Sequence, residues 1–216
     1  MSCEARRPLT LVAISDTHGL HGELEIPAGD VLVHAGDFTM HGAMGEVAAF
    51  NDFLAAQPHA HKLVIAGNHD FCCEGNAAEI RAAFTAASSL QDESVEIEGW
   101  RFYGSPWQPW FMDMAFNLRE DSARAAAWAS IPAATDVLVT HTPPGGTGDL
   151  TSLGEYVGCT ELPAALRRVR PRVHLFGHIH EAYGVREMDG TVYANACSCN
   201  LSYEAVQPPL VIDLGE

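Results

Sequence analysis

Three short runs of apolar, β-prone residues in the first third of the chain each stop at a polar turn. They cover residues 9–15, 31–35 and 62–66. A short run of this kind, bounded by turn signals, is typical of a buried strand. Residues 43–56 and 77–87 have helical composition and spacing. This alternation of strand, loop and helix predicts an α/β layered fold.

The second half of the chain carries more hairpin signals. Glu98-Gly99 and Asp189-Gly190 each separate two strand-like runs, and Asp-Gly is a strong signal for a tight hairpin turn. The predicted strands are residues 94–97, 100–104, 136–140, 173–176, 182–188, 191–194 and 209–214, and the predicted helices are residues 122–130 and 162–169. We predict one domain over residues 1–216, built from two packed mixed sheets with helices outside. We expect residues 1–8 to be flexible and the glycine-rich turn at 143–149 to be a mobile loop.

Polar residues with metal-binding chemistry follow five of the predicted strands. They form the motifs Asp16-Thr17-His18, Gly36-Asp37, Gly67-Asn68-His69-Asp70, the single residue His141, and Gly177-His178-Ile179-His180. We expect these motifs to meet at one edge of a sheet, and residues two apart in an extended chain to point the same way. Oxygen and nitrogen donors without thiolates suit two hard-to-borderline divalent metals.

Charge narrows the range of partners. The chain has 28 acidic and 12 basic residues, a formal net charge of −16. This balance argues against binding of long nucleic acid, which relies on Lys and Arg at the phosphates. A small anionic substrate remains compatible, because bound metal ions reverse the sign of charge locally. No apolar stretch reaches the roughly 20 residues of a transmembrane helix, and no apolar signal-peptide core precedes the first strand, so we expect no membrane partner and a cytoplasmic location. The sequence does not indicate an oligomeric state.

The six cysteines do not suggest a zinc knuckle, since none forms a CxxC pair. We expect reduced, partly buried thiols. Cys72 and Cys73 directly follow the GNHD motif, so their oxidation would disturb the neighbouring site, but we do not assign them a catalytic role.

The formal charge expected at such a site is equal and opposite to that of a phosphodiester anion. Two divalent ions, the carboxylates of Asp16 and Asp37 and a bridging hydroxide leave a site of about +1. A two-metal site of this kind activates water and stabilises an in-line displacement at phosphorus. The motifs therefore indicate hydrolysis of a phosphoester by a metal-activated hydroxide.

The five motifs closely resemble those of the calcineurin-like metallophosphoesterase superfamily, whose pattern is DxH, GD, GNH(D/E), H and GHxH. The resemblance implies that Asp16, His18 and His180 bind a first metal. It implies that Asn68, His141 and His178 bind a second, with Asp37 bridging the two. His69 would then protonate the leaving oxygen or stabilise charge on the phosphoryl group, with Asp70 orienting it. The fold implied is a four-layer α/β/β/α sandwich.

Further segments resemble the small MPPED-type and UPF0046-type members, a branch that includes class III cyclic-nucleotide phosphodiesterases. They are ISDTHGLH, GDFT, GNHDF, GSPWQPWF, VLVTHTPPGG, GCTEL, FGHIHEAYG and NACSCN. The resemblance implies Mn²⁺-supported hydrolysis of small phosphodiesters, including cyclic nucleotides. Because 216 residues leave little room for a cap domain, we expect a shallow, open site that accepts several small phosphoesters. The same ligands would also accept Fe, Zn²⁺ or Co²⁺.

Several residues outside the ligand set have two interpretations. His21, together with Asn68 and His69, is a candidate substrate contact. Trp107 and Trp110 would either stack on a nucleobase or pack beneath a loop. His34 lies within a strand, where a packed histidine is the simpler interpretation, and Asn195 is a candidate partner of a ligand.

Three other functions remain open at this point. The chain could be a regulatory protein that binds metal and nucleotide with negligible turnover. It could also be a phosphomonoesterase or protein phosphatase of the same superfamily. A nuclease is disfavoured by the acidic charge.

Overall fold

The computed structural model describes residues 6–215. The strands are β1 Leu9–Ile14, β2 Val31–Ala35, β3 His61–Ile65, β4 Ser88–Ser89, β5 Glu93–Ile97, β6 Trp100–Ser105, β7 Gln108–Pro109, β8 Asn117–Leu118, β9 Val137–Thr140, β10 Val173–Phe176, β11 Gly184–Met188, β12 Thr191–Asn195 and β13 Leu210–Leu214. The α-helices are α1 Met44–Ala56, α2 Ala77–Ala83, α3 Asp121–Ala129 and α4 Leu162–Val169. Short 3₁₀ turns cover His21–Glu23, Phe71–Cys73 and His180–Ala182.

Two mixed sheets contain most of the strands. The first has the order β13-β1-β2-β3-β4 and the second β11-β12-β10-β9-β6-β5. In the first, β1, β2 and β3 are parallel while β13 runs antiparallel to β1. In the second, β6, β9, β10 and β12 are parallel and the edge strands β5 and β11 are antiparallel. The carboxyl ends of the parallel strands carry the loops with the predicted ligands.

Alternation along the strands divides the apolar residues between two layers. Leu11 and Ala13 of β1 face the core between the sheets, whereas Val12 and Ile14 face α1 and α2. The second sheet packs in the same way against α3 and α4, where Trp128 lies with Leu162. Strands buried on both faces are expected to be apolar throughout. The predicted four-layer α/β/β/α sandwich is therefore confirmed.

Both predicted hairpins are present and close through left-handed turns. Glu98 and Gly99 have φ of 50° and 82°, and Asp189 and Gly190 have φ of 53° and 79°. These angles define the type I′ turn whose twist matches that of paired strands. The pairs Ile97–Trp100 and Met188–Thr191 close the two hairpins.

The predicted helix over residues 77–87 is too long, because α2 ends at Ala83. The side chain of Asn51, on α1, accepts hydrogen bonds from the backbone N–H groups of Thr85 and Ala86, both at 3.0 Å. These bonds hold the chain in a turn before β4. The end of α2 is thus accompanied by a contact between two residues that lie 34 positions apart in the sequence, Asn51 and Thr85.

Two segments expected to move are tied to the fold where the structure describes them. Residues 1–5 lie outside the described residues, but Arg6 and Arg7 pair with Asp136 and Asp30. The loop at 143–149 is anchored by Asp149, which is buried and accepts the backbone N–H groups of Gly146 and Gly158 at 2.9 and 3.0 Å. Within residues 6–215, no helix combines the length and apolar character needed to cross a bilayer.

Candidate metal centre

The seven predicted ligands converge where the parallel strands of both sheets end. Asp16 follows β1, Asp37 follows β2 and Asn68 follows β3, while His141 follows β9 and His178 follows β10. His178 is half-buried and the others are buried. The ligands thus come from both sheets and meet across the top of the sandwich.

His141, Asn68 and Asp37 form one side of the cluster. The His141 Nδ1–H group donates to the Ala35 carbonyl at 3.0 Å, which leaves Nε2 to face the other two residues. His141 Nε2 lies 2.8 Å from Asn68 Oδ1 and 3.4 Å from Asp37 Oδ2. The rings of His141 and His178 are 5.0 Å apart between centroids.

His18, His180 and Asp16 form the other side. The His180 Nδ1–H group donates to the Asn200 carbonyl at 3.0 Å, so Nε2 faces inward. That atom lies 3.3 Å from His18 Nε2 and 3.4 Å from Asp16 Oδ1. His18 Nδ1 is buried without a hydrogen-bond partner among residues 6–215. Two ring nitrogens this close require a proton or a cation between them.

Three hydrogen-bond donors contact one oxygen of the Asp16 carboxylate, Oδ2. Asp16 Oδ2 accepts the Ser15 hydroxyl at 2.6 Å, the His178 backbone N–H at 2.9 Å and the Cys197 thiol at 3.1 Å. Oδ1 is directed towards His180. Neighbours of this type fix the orientation of a metal-binding carboxylate.

The backbone at the site is bent, not extended. The φ angles of Asp16, His18, Asp37 and His178 are 50°, 45°, 58° and 69°. The expectation that residues two apart point the same way because the chain is extended is therefore wrong at Asp16 and His18. The ligands converge through left-handed turns, a strained conformation that proteins retain at functional sites.

Two glycines allow the backbone to approach the cluster. A Cβ at Gly177 would overlap Asp16 Oδ2 and Ser15 Oγ. Gly36 has φ of 101°, and a Cβ there would overlap His141 Nδ1. Glycine permits both the angle and the close approach.

Opposite charges in the cluster shift the pKa values of its members. Burial disfavours charge on His141 and His180, but the carboxylates of Asp37 and Asp16 outweigh it and raise both pKa values to about 9. Burial likewise opposes ionisation of Asp37, yet His141 lowers its pKa to about 2. Burial lowers the pKa of His178 to about 4. Burial also opposes ionisation of Asp16, but the hydrogen bond with His180 and the nearby imidazoles lower its pKa well below the usual value, so both carboxylates favour a cation beside them.

This donor set fits divalent metals. Three groups of potential ligand atoms lie within 4.8 Å of one another: Asp16, Asp37 and His141; His18, Asp37 and His69; and Asp16, His180 and Cys197. Asp37 and Asp16 each belong to two of these groups, and the bridging role of Asp37 stays a prediction. A metal would replace the protons on His141 and His180, as metal binding to imidazoles generally does. The division of the seven ligands between two ions remains a prediction.

His69 lies beside the cluster with its ring fixed by a main-chain contact. The Nδ1–H group donates to the Met40 carbonyl at 3.0 Å, and the ring is 4.6 Å from that of His18. Its backbone N–H donates to Asp37 Oδ1 at 2.7 Å. This ring lines the cavity in front of the cluster, where the predicted proton donor is expected.

The predicted role of Asp70 in orienting His69 is wrong. Asp70 Oδ2 accepts the backbone N–H groups of Asp37 and Gly67 at 2.9 and 2.8 Å. Asp70 Oδ1 accepts the N–H and hydroxyl of Thr39 at 2.9 and 2.7 Å. Burial and the nearby charge of Asp37 raise the pKa of Asp70 to about 7. The carboxylate fixes the loops that carry Asp37 and Asn68.

A cavity of about 710 Å³ opens in front of the cluster, which is larger than the shallow site expected. It is lined by Asp37, Asn68, His69, His178 and His180 together with Pro109, Trp110, Phe111, Thr142, Thr151, Ser152, Leu153, Glu155, Val157, Ile179, Glu181, Leu201 and Tyr203. Asn68 and His69 are thus placed to contact a substrate.

His21 does not line this cavity. Its ring packs against Phe50 and Phe53 of α1, with centroids 5.0 and 4.8 Å away, so the predicted substrate contact is not supported.

Of the two tryptophans considered as substrate contacts, one lies at the cavity and the other does not. Trp107 packs against Phe116 and donates to Asp92 at 2.7 Å, whereas Trp110 is half exposed at the cavity wall.

His34 and Asn195 both position the loops behind the ligands. His34 is buried, accepts the Gly36 backbone N–H at 3.2 Å through Nδ1 and lies 2.9 Å from Thr17 Oγ1 through Nε2. Asn195 donates to the carbonyl of Ile179, between the two histidines of the GHIH motif, at 2.9 Å. The packed histidine suggested by the sequence agrees with the contacts of His34, whereas Asn195 contacts the backbone between two predicted ligands and not a ligand itself.

The sequence motifs missed the contribution of the segment after β12. Cys197 reaches Asp16, the carbonyl of Asn200 holds His180, and the ring of Tyr203 lies 4.8 Å from that of His18. The one available signal was that NACSCN follows a predicted strand, as the ligand motifs do. The five described cysteines, Cys72, Cys73, Cys159, Cys197 and Cys199, are free thiols, and Cys3 lies outside the described residues.

A two-sheet sandwich with buried carboxylate, amide and imidazole donors at its loop edge is typical of a metallohydrolase. The family model for calcineurin-like phosphoesterases matches residues 9–182. Metallophosphoesterase domain-containing protein 1 of Homo sapiens is 42% identical over 228 residues, covering 94% of this chain and 70% of the human protein. UPF0046 protein C25E10.12 of Caenorhabditis elegans is 37% identical over 245 residues, covering 98% of this chain and 87% of its relative. This chain belongs to the calcineurin-like phosphoesterase family.

A solved structure agrees at the level of the fold. Phosphopantetheinyl hydrolase from Mycobacterium tuberculosis superposes with a TM-score of 0.59 at 14% identity, over 93% of this chain and 95% of that chain. The resemblance seen in the motifs is confirmed by the family match. Membership implies a phosphoester hydrolase that uses divalent metal ions.

Proposed function

We propose that this protein is a two-metal phosphodiesterase that hydrolyses small phosphodiesters, among which cyclic nucleotides are candidates. The position of Asp37 carries the proposal. Its Oδ2 lies 3.4 Å from His141 Nε2, and a carboxylate oxygen of Asp37 also lies within 4.8 Å of a ring nitrogen of His18. A carboxylate that adjoins both sides of a donor cluster is suited to bridge two ions.

The metals would supply a nucleophile from water at neutral pH and charge stabilisation at the phosphoryl oxygens. Asp16, His18 and His180 would hold one ion and Asn68, His141 and His178 the other, with Asp37 between them. Mn²⁺ is the proposed ion, and Fe, Zn²⁺ or Co²⁺ also suit these donors.

His69 would act on the leaving group. Its Nδ1–H donates to the Met40 carbonyl, so the acid form would be the imidazolium, which donates its Nε2 proton and is left as the neutral Nδ1–H tautomer. Donation of that proton to the departing alkoxide oxygen is general acid catalysis, which contributes typically about 10²–10⁴-fold. Asp70 and His34 would hold the ligand loops in place and take no part in proton transfer.

The charge of the cavity supports a diester over a monoester. Among the described residues that line the cavity there is no lysine or arginine, and Glu155 and Glu181 are acidic. A phosphodiester carries one negative charge and needs less compensation than a monoester dianion. A long nucleic acid is a poor candidate at a net charge of −16.

Hydrolysis of bis(p-nitrophenyl) phosphate and p-nitrophenyl phosphate by the Mn²⁺-loaded protein tests the proposal, with a chelator-treated control. We expect a higher kcat/KM for the diester, abolished by the chelator. A preference for the monoester would instead assign the protein to the phosphatases. No turnover with metal bound would favour the alternative of a metal- and nucleotide-binding regulatory protein.

We also propose a cytoplasmic location. The free thiols of Cys72, Cys73, Cys159, Cys197 and Cys199 support it, since reduced cysteines persist in a reducing compartment. Recovery of the protein with secreted or membrane fractions after cell fractionation would contradict it.

A further inference from the structure

One wall of the catalytic cavity is apolar and open to solvent. Trp110, Phe111, Leu153, Leu201 and Tyr203 line the cavity and expose 48%, 45%, 84%, 59% and 41% of their surfaces. We call these five residues the apolar rim. Clusters of exposed apolar residues of this kind mark binding sites more often than scattered ones do.

The apolar rim is continuous with the metal-binding residues. The Phe111 ring is 5.6 Å from that of His178, and the Tyr203 ring is 4.8 Å from that of His18 and 5.6 Å from that of His180. A group attached to a phosphoryl oxygen at the cluster would therefore meet this rim directly.

The conformation around Tyr203 is specified by local hydrogen bonds. Tyr203 has φ of 56°, and Asn200 Oδ1 accepts the backbone N–H groups of Ser202 and Glu204 at 2.8 and 3.1 Å. The carbonyl of the same Asn200 accepts the His180 Nδ1–H. Asn200 thus holds a predicted metal ligand and one side of the apolar rim in a fixed relation, which is the type of strained, over-determined segment found at binding sites.

The charged residues around the rim leave no counter-charge for extra phosphates. The cavity lining includes Glu155 and Glu181, and the described part of the lining contributes no lysine or arginine. The guanidinium of Arg119 lies 5.1 Å from the centroid of the Trp110 ring and is paired with the Asp113 carboxylate. A substrate with a second phosphate would place unpaired negative charge against these glutamates.

We infer that the preferred substrate is a phosphodiester monoanion with a bulky uncharged apolar substituent, and that the apolar rim binds this substituent. The inference rests on the proposed function and adds the chemistry of the group beyond the scissile phosphate. An alkyl chain and an aromatic ring share this chemistry. Pockets of this volume typically enclose ligands far larger than a phosphoryl group.

A series of p-nitrophenyl diesters with one leaving group and one charge tests the inference with the full-length Mn²⁺-loaded protein. The second substituent is methyl, octyl or phenyl. We expect kcat/KM for at least one of the larger diesters to exceed that for methyl by about tenfold or more, since burial of about two methylene groups is enough for a change of that size. Equal values for all three diesters would overturn the inference.

Variants locate the effect. In the double variant Leu153→Ser, Leu201→Ser, the ratio of kcat/KM for the larger diester over the methyl diester should fall towards one. Val206→Ser is the matched control, because Val206 is 62% exposed and does not line the cavity. An equal ratio in the double variant and the wild type would overturn the inference. A second outcome would also overturn it: the wild type is a dimer, the double variant is a monomer, and the ratio of kcat/KM values is the same in both. The apolar rim would then be a subunit interface.

A binding measurement separates this inference from the proposed function. Methyl(octyl)phosphinate and dimethylphosphinate are monoanions without an ester bond to hydrolyse, and tryptophan fluorescence reports their binding near Trp110. Tighter binding of the octyl compound, weakened in the double variant, would support the apolar rim even if no diester is hydrolysed. Equal affinity for the two compounds would overturn the inference even if the protein proves to be a phosphodiesterase.

Discussion

Asp70 Oδ2 accepts a hydrogen bond from the backbone N–H of Asp37 at 2.9 Å, so the Asp70 side chain holds the backbone of Asp37. The same oxygen accepts the Gly67 N–H, next to Asn68, at 2.8 Å. One buried carboxylate therefore fixes two ligand loops relative to each other. The GNHD motif thus places His69, the proposed proton donor, beside a residue that organises the loops.

Asp70→Asn should reduce metal binding and stability together. The amide nitrogen cannot accept hydrogen bonds, so some of the four donors at this site would lose their acceptor. We expect a loss of about 2–4 kcal/mol in the free energy of unfolding, measured by urea denaturation, and a lower metal content. Unchanged stability and metal content with a large loss in kcat would instead restore Asp70 as the partner of His69.

His69→Ala should lower turnover and leave metal binding intact. The backbone N–H that holds Asp37 is retained in this variant, and only the ring is removed. We expect kcat to fall by about 10²–10³-fold, with a larger effect on substrates whose leaving groups are poor. Metal content by elemental analysis should match the wild type. Loss of metal would show that His69 is a ligand and not a proton donor.

Gly177→Ala should displace Asp16. The new Cβ would overlap the Asp16 carboxylate and the Ser15 side chain, both of which are buried. We expect weaker metal affinity by calorimetric titration of the metal-free protein. Gly45→Ala is the control, because a Cβ at that position of α1 meets no atom within 4 Å. Equal affinity in the two variants would contradict the assigned position of Asp16.

His174 should make the metal-free protein sensitive to acid. Burial lowers the pKa of His174 to about 3, and its Nε2 lies 2.8 Å from Thr140 Oγ1. Below pH 6.5 the unfolded chain binds a proton that the native state does not, so stability falls as the pH falls. His174→Gln removes this titration while keeping a hydrogen-bonding side chain.

Urea denaturation at pH 7 and pH 5, in the presence of a chelator, measures the effect. Between pH 7 and pH 5 the free energy of unfolding should fall by about 2 kcal/mol more in the wild type than in His174→Gln. This difference is expected because the unfolded wild-type chain binds one extra proton, at His174, below about pH 6.5. Equal losses in the two proteins would show that His174 is protonated in the native state.

The positions of the ligands could be predicted because they depend on strand order. Asp16, Asp37 and His141 each follow an apolar run, and parallel strands bring their carboxyl ends to one edge of a sheet. What the ligands touch could not be predicted in the same way. The left-handed residues Asp16 and His18 donate their backbone N–H groups to a separate loop, at the carbonyls of Gly36 and Asp37, at 2.9 and 3.0 Å.

Contacts between distant segments account for the remaining differences. Asn51 binds the backbone just after the end of α2. The Met40 carbonyl, and not Asp70, accepts the hydrogen bond of the His69 ring. The His21 ring packs against Phe50 of α1 and does not line the cavity. Tyr203 reaches the site from a segment without a motif of its own. Each of these contacts depends on tertiary packing, which residue spacing does not encode.

Titration of the metal-free protein with Mn²⁺, while hydrolysis of bis(p-nitrophenyl) phosphate is followed, tests the two-metal phosphodiesterase most directly. We predict less than half of the final rate after one equivalent of bound metal and a plateau at two. A plateau after one equivalent, or no hydrolysis with two bound, would contradict the account.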